Sequence, residues 1–170
     1  MTTGFSRQEF ATKEYQIKAV FLYNFTQFVE WPGNSFAEKN SPLIIGVLGE
    51  NPFGSYLQET VFDEKANEHP IEVHHYNEVG ELQKCHILFV NKSKKVSLEP
   101  IFEKLKIQNV LTVGDSPDFI QQSGMVRFFL SNDKTQIQVN LQAAKDAELK
   151  ISSKLLSIVE IVTKKRTDSL

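Results

Sequence analysis

Cys85 and His86 stand side by side in QKCHILFV, where a thiol and an imidazole could in principle form a nucleophile–base pair. They open a continuously apolar run that reads as a strand, and successive strand side chains point to opposite faces. The two groups therefore cannot act on one another. The reading is a buried, inert thiol beside a solvated or hydrogen-bonded histidine. His74 and His75 fail as a metal pair for the same reason, with no acidic or cysteine ligand at useful spacing. Neither HExxH nor GxSxG occurs. No metal, no cofactor and no catalytic set is implied.

Two glycine-bearing loops remain. GENPFG (49–54) sits at a strand-to-helix turn that could present backbone N–H groups to an anion. It lacks the third glycine of a dinucleotide fingerprint and the Lys-Ser/Thr of a P-loop, and turn geometry alone explains both glycines. In GDSPD (114–118), Asp115 directly follows a buried strand, at the edge where parallel α/β sheets bind ligands. Helix capping by Asp115 or Ser116 is the plain alternative. A receiver-like phosphoacceptor would want an acidic pair after the first strand, where Gly49-Glu50 is a poor substitute.

The elements that position these groups follow from pattern. A chain of 170 residues fits one α/β domain, 1–170, with its core at about 10–164. LIIGVLG (43–49), IEVHHY (71–76), HILFVN (86–91) and VLTVG (110–114) read as strands. Helices are expected after Asn51-Pro52, over 96–106, in DSPDFIQQSG and after Ser152, the last with Leu155, Leu156, Ile158 and Val159 on its inner side. MVRFFLSNDKTQIQVNL (125–141) reads as a β-hairpin turning at Ser131-Asn132-Asp133-Lys134. The fold class is therefore a three-layer α/β sandwich, a mostly parallel sheet with an antiparallel hairpin and helices on both faces.

KAVFLYNFTQFVEWP (18–32) is the richest apolar stretch. Lys18, Asn24, Gln27 and Glu30 interrupt it too often for a membrane span of about 20 apolar residues. At 100° per residue Ile17, Val20, Phe21, Asn24, Phe25, Phe28 and Trp31 share a face, so an amphipathic helix from about residue 8 to 31 is expected, ended by Pro32. Leu22 and Val29 widen that face, which implies cover on more than one flank. Asn24 lies near its centre, and a buried amide without a partner costs about 1–3 kcal/mol. Either nearby backbone meets it, or it opens on a cavity shared with Trp31.

Charge and cysteine content exclude little. A net charge of −2 gives no general attraction to nucleic acid, and the run Lys164-Lys165-Arg166 reads as a cationic helix end. A single cysteine forbids an intrachain disulfide and leaves the compartment open. MTTGFSRQEFATKE lacks a basic stretch followed by an apolar run, so no signal peptide is expected in this chain and an exported protein would be in its mature form.

In that order, EYQIKAVFLYNFTQFVEWP, GVLGENPFG, CHILFV, LTVGDSPDF, GMVRFF, VNLQAA and LKISSKLLSIVEIV resemble the YfiR family, from about Tyr15 to Val162. The resemblance implies a non-enzymatic α/β domain of the bacterial periplasm. It would bind and repress the sensory domain of a membrane-bound diguanylate cyclase, lowering cyclic-di-GMP and biofilm formation. An outer-membrane lipoprotein would act as a sequestering partner, and a homodimer is expected. Similar domains occur at the extracytoplasmic end of sensor kinases, which leaves a small-molecule sensor as the alternative, with its pocket near Gly49–Gly54 and Asp115. Redox-responsive members use cysteine pairs; Cys85 matches one position and its partner is absent, so disulfide gating is not expected. The matching blocks carry the candidate ligand or partner residues Asn24, Glu30, Trp31, Asp115, Arg127 and Asn140. Arg127, set in an apolar strand, is expected to pair with a carboxylate, Asp115 or Glu30, as a structural ion pair or a ligand clamp.

Overall fold

The apolar runs form the middle of a sheet that is covered on both faces. The computed structural model describes residues 7–91, 97–105 and 108–162. The chain runs α1 (Arg7–Phe28), β1 (Val29–Glu30), a 3-10 turn (Gly33–Ser35), β2 (Leu43–Leu48), α2 (Tyr56–Val61), β3 (Lys65–Ala66) and β4 (His69–Tyr76). It continues through β5 (Ile87–Val90), α3 (Leu98–Leu105), β6 (Leu111–Gly114), β7 (Val126–Ser131), β8 (Lys134–Asn140), α4 (Leu141–Asp146), β9 (Lys150–Ile151), α5 (Ser153–Leu156) and β10 (Glu160–Val162). Sheet order is β10-β8-β7-β6-β5-β2-β4-β3, and β1 pairs separately with β9. The pairs β7–β8 and β3–β4 are antiparallel and the other neighbours in the large sheet parallel. This is the mostly parallel α/β sandwich with a hairpin that the pattern predicts.

Side-chain alternation explains why the central strands are apolar throughout. Ile45, Val47, Ile87, Phe89, Leu111 and Val113 point into one core with α1 and α2. Leu48, Leu88 and Val90 point into the other, against α3 and Phe119. The hairpin turns on Asn132 and Asp133, both at positive φ (51° and 61°), the two-residue geometry whose twist suits paired strands.

Several predicted boundaries move, each for a tertiary reason. The first helix stops at Phe28, not Trp31, because Val29 and Glu30 pair with Ile151 and Lys150, and Ser152 N–H donates to the Phe28 carbonyl at 2.8 Å. The expected long C-terminal helix is one turn, capped by Ser152 as predicted; the chain then returns to the sheet as β10, parallel to β8. Asn51 does not cap a helix. Its side chain accepts from Phe53 N–H and donates to the Gly54 carbonyl, closing a turn that drives Phe53 into the core. DSPDFIQQSG forms successive turns instead of a helix. There Phe119 is fully buried between Gly114 and Gly124, where a Cβ on either glycine would meet its ring at under 3 Å. The run Lys164–Arg166 lies outside the described residues.

Candidate functional site

The face of α1 that enters the core is not the one its pattern suggests. Tyr15, Lys18, Ala19, Leu22, Phe25, Thr26 and Val29 are buried, whereas Ile17 and Val20 are 41% and 49% exposed. The helix is apolar nearly all round, so hydropathy alone does not orient it. Packing against Phe128 turns Phe25 inward, at 6.1 Å between stacked rings.

That rotation carries Lys18, 3% exposed, to the carboxyl end of β6. Its Nζ lies 3.0 Å from Asp115 Oδ2 and 2.9 Å from Glu14 Oε2, while Tyr15 Oη donates to the same Asp115 oxygen at 2.7 Å. The Lys18 and Asp115 side chains are 4% and 1% exposed, so the pair is desolvated and depends on its hydrogen bonds. Burial first, then the Asp115 charge, raises the Tyr15 pKa far above its ordinary value, so Tyr15 remains a proton donor. Asp115 therefore anchors α1 to the sheet. Its predicted cation, Arg127, is elsewhere: Arg127 Nε donates to Gln138 Oε1 at 2.8 Å, its guanidinium lies 4.9 Å from the Phe129 ring centre, and it pairs with neither Asp115 nor Glu30. In the sequence Lys18 reads only as a charge interrupting an apolar run. The signal available was its spacing, one turn after Glu14.

From its contact with Asp115 at Tyr15 and Lys18, α1 runs on toward the opposite, amino-terminal edge of the sheet, where a cavity lies. Its volume is about 480 Å³, within the range of small-ligand sites. Val29 and Leu43 line it with Glu30, Trp31, Phe36 and His69. It lies at the other end of the sheet from Gly49–Gly54 and Asp115, where the sequence places the expected pocket. Glu30 and Trp31 are thus brought together, without Asn24, Asp115, Arg127 or Asn140. Asn24 is half-buried on the flank of α1, and no hydrogen bond to its side chain occurs among the described residues. Asn140 caps α4, accepting from Ala143 N–H at 3.2 Å.

His86, which reads in the sequence only as a solvated or hydrogen-bonded histidine, holds the cavity wall from behind through Trp31 and Phe36. It is 3% exposed. Its backbone N–H donates to the Ile44 carbonyl at 2.9 Å, and Ile44 N–H donates back to His86 Nδ1 at 3.0 Å. With Nδ1 an acceptor, the ring is the Nε2–H tautomer, whose proton goes to the Ser35 carbonyl at 3.0 Å. The His86 carbonyl accepts from Trp31 Nε1 at 3.0 Å and from Leu111 N–H at 2.9 Å. Phe36 stacks on His86 at 4.3 Å and on His69 at 3.7 Å between ring centres. Burial is the largest cause that lowers the His86 pKa, with Lys84 and His69 adding to it against the Ser35 carbonyl. Cys85, on the opposite face of the strand, is 2% exposed and its thiol is pushed up to about 12 by burial, the inert reading of the pair.

Among the described residues, no group of three His, Cys, Asp or Glu is placed to hold a metal ion. No described helix is long and apolar enough to cross a membrane.

An ABC domain from Streptococcus pneumonia, solved in complex with L-Trp, is similar in structure, with a TM-score of 0.57 at 9% identity. The match covers 88% of this chain and 60% of that one, so the chain spans three fifths of its length and the likeness is one of fold alone. None of the curated proteins matches. The YfiR/HmsC-like family model matches residues 15–160, so the chain belongs to that family, whose members point to periplasmic regulation of cyclic-di-GMP signalling.

Proposed function

We propose that this protein binds the periplasmic sensory domain of a membrane-bound diguanylate cyclase and represses it without catalysing a reaction. An outer-membrane lipoprotein would relieve the repression by sequestering it, and the working form is a homodimer. The observation that supports a contact role is a partly uncovered apolar stripe on α1. Ile17, Val20, Phe21, Asn24 and Phe28 recur at helical spacing; Phe21 and Phe28 are partly buried against the core, while Ile17 and Val20 are 41% and 49% exposed. Ile161, 45% exposed, stands opposite Val139 across β10–β8 and so points to the sheet face that α1 covers. Scattered surface apolar residues are ordinary, but a stripe at helical spacing beside an apolar sheet edge fits a partner surface. Asn24 would give it a polar contact. Co-purification with the cyclase periplasmic domain tests this: Val20→Glu should abolish capture and leave the melting temperature within about 2 °C. Undiminished capture would remove the stripe from the interface. Failure to bind any cyclase encoded alongside would remove the cyclase reading.

A second reading, a small-molecule sensor, is favoured by the cavity beside Glu30 and Trp31. Thermal-shift screening against amino acids and other small metabolites tests it, since a ligand of the native state raises the melting temperature with concentration. The two readings are compatible if a ligand biases the partner contact.

A further inference from the structure

The cavity wall is tied to the sheet through one imidazole. His86 clasps Ile44 twice, once through its own backbone N–H and once through Nδ1, and its Nε2–H holds the Ser35 carbonyl. Ser35 closes the 3-10 turn that leads into Phe36, and Phe36 fills the space between His86 and His69. Trp31 is fixed from the other side, its indole N–H on the His86 carbonyl. One residue therefore touches both aromatic residues of the wall: its ring holds the Ser35–Phe36 turn, its main-chain carbonyl holds the Trp31 indole, and the Trp31 ring stands edge-on to the imidazole at 6.1 Å.

A proton on Nδ1 is incompatible with this arrangement. The Ile44 N–H would then face a second donor at the observed 3.0 Å, and a buried imidazolium would lie where water does not reach it. The charged groups acting on the ring would not compensate. Lys84, two residues before it, is cationic, and His69, across Phe36 on β4, lowers its proton affinity further. Ile44 on β2, Ser35 and Phe36 in the turn segment, and Trp31 after β1 bring no ionisable group. Cys85 remains a neutral thiol. Among the described residues, the Ser35 carbonyl and the face of the stacked Phe36 ring favour the charged ring, and both belong to the turn that would follow it outward.

We propose that His86 is a proton-operated latch on this cavity. In neutral medium the ring is uncharged and the wall formed by Trp31 and Phe36 is closed on the sheet. In mildly acidic medium protonation breaks the bond from Ile44, and residues 33–36 swing away with the ring. The cavity then changes shape while the sheet stays folded. This deepens the sensor reading by naming how its site is regulated, and its test needs no ligand.

Trp31 is the sole tryptophan, so its emission and its indole N–H resonance report directly on the wall. The full chain is titrated from pH 8 to 4.5, following Trp31 fluorescence, the His86 imidazole resonances and far-UV circular dichroism together. The expected result is a reversible shift in Trp31 emission with the same midpoint as His86 protonation, below 6.5, at constant circular dichroism. His86→Asn, whose amide oxygen still accepts from Ile44 N–H, should abolish the shift; His69→Asn should keep it. If His86→Asn fails to fold, the coincidence of midpoints in the natural chain decides alone. The latch is refuted if Trp31 does not respond while His86 titrates, if His86→Asn retains the transition, or if the whole fold is lost at the same pH. A cavity that binds no metabolite would sink the sensor reading and leave these results intact.

Discussion

Asp115→Asn tests the claim that α1 is anchored by charge. The substitution keeps an oxygen that can accept from Tyr15 but removes the anion 3.0 Å from Lys18. Removing one partner of a buried pair costs about 3–5 kcal/mol, because it leaves a desolvated charge behind. Here Lys18 retains Glu14 at 2.9 Å, which is partly solvated, and Tyr15 keeps an acceptor. The expected loss is therefore below that range, about 2–3 kcal/mol. For a domain of this size that lowers the melting temperature by roughly 5–10 °C. Urea titrations of Asp115→Asn, Lys18→Met and the double variant complete a thermodynamic cycle. Since Lys18→Met removes the stranded cation, the double variant should lose at least about 1.5 kcal/mol less than the two single losses combined. Additive losses to within about 0.5 kcal/mol, or a cost for Asp115→Asn under about 1 kcal/mol, would refute the anchor.

Three further outcomes follow from the same contacts. Gly114→Ala should destabilise by about 1–3 kcal/mol in chemical denaturation, since its Cβ collides with the Phe119 ring, and Phe119→Leu should recover part of that loss. Cys85 should resist iodoacetamide at pH 8 in the native chain and react once urea unfolds it, because burial keeps the thiol protonated to about pH 12. Stability should fall with acidification. The folded His86 pKa is below the unfolded 6.5, so the unfolded chain binds more protons as pH drops through 6.5 toward the folded value. The His86 contribution is complete above 6.5 and lost across that window, at a slope of at most about 1.4 kcal/mol per pH unit, and His86→Asn should flatten the urea-midpoint profile there.

The strand cores were legible because burial on both faces leaves a mark on composition: LIIGVL, ILFV and LTVG admit few polar residues. Asn132-Asp133 was equally plain as a turn, since few residues accept two consecutive positive φ values. The same local information failed for α1. With apolar residues on nearly every side, the sequence does not say which stripe faces the sheet, and only packing on Phe128 selects Tyr15, Lys18, Leu22 and Phe25. Lys18 and Asp115 lie 97 residues apart, so no local pattern could pair them, and Arg127 was the nearer guess.

Sequence by itself determined the α/β class, the central strands, the hairpin and the resemblance that membership of the YfiR/HmsC-like family now bears out. Glu30 and Trp31 stand out in the sequence as candidates, but the cavity they line does not. Tertiary structure decided the rest. It put the cavity at the amino-terminal edge of the sheet, gave Asp115 its cation, left Ile17 and Val20 uncovered and made His86 the tie between Ile44, Ser35 and Trp31. The reason is one of range. Periodicity reports whether a residue is near an apolar neighbour, whereas hydrogen bonds and ion pairs between distant segments depend on how rigid elements settle against one another.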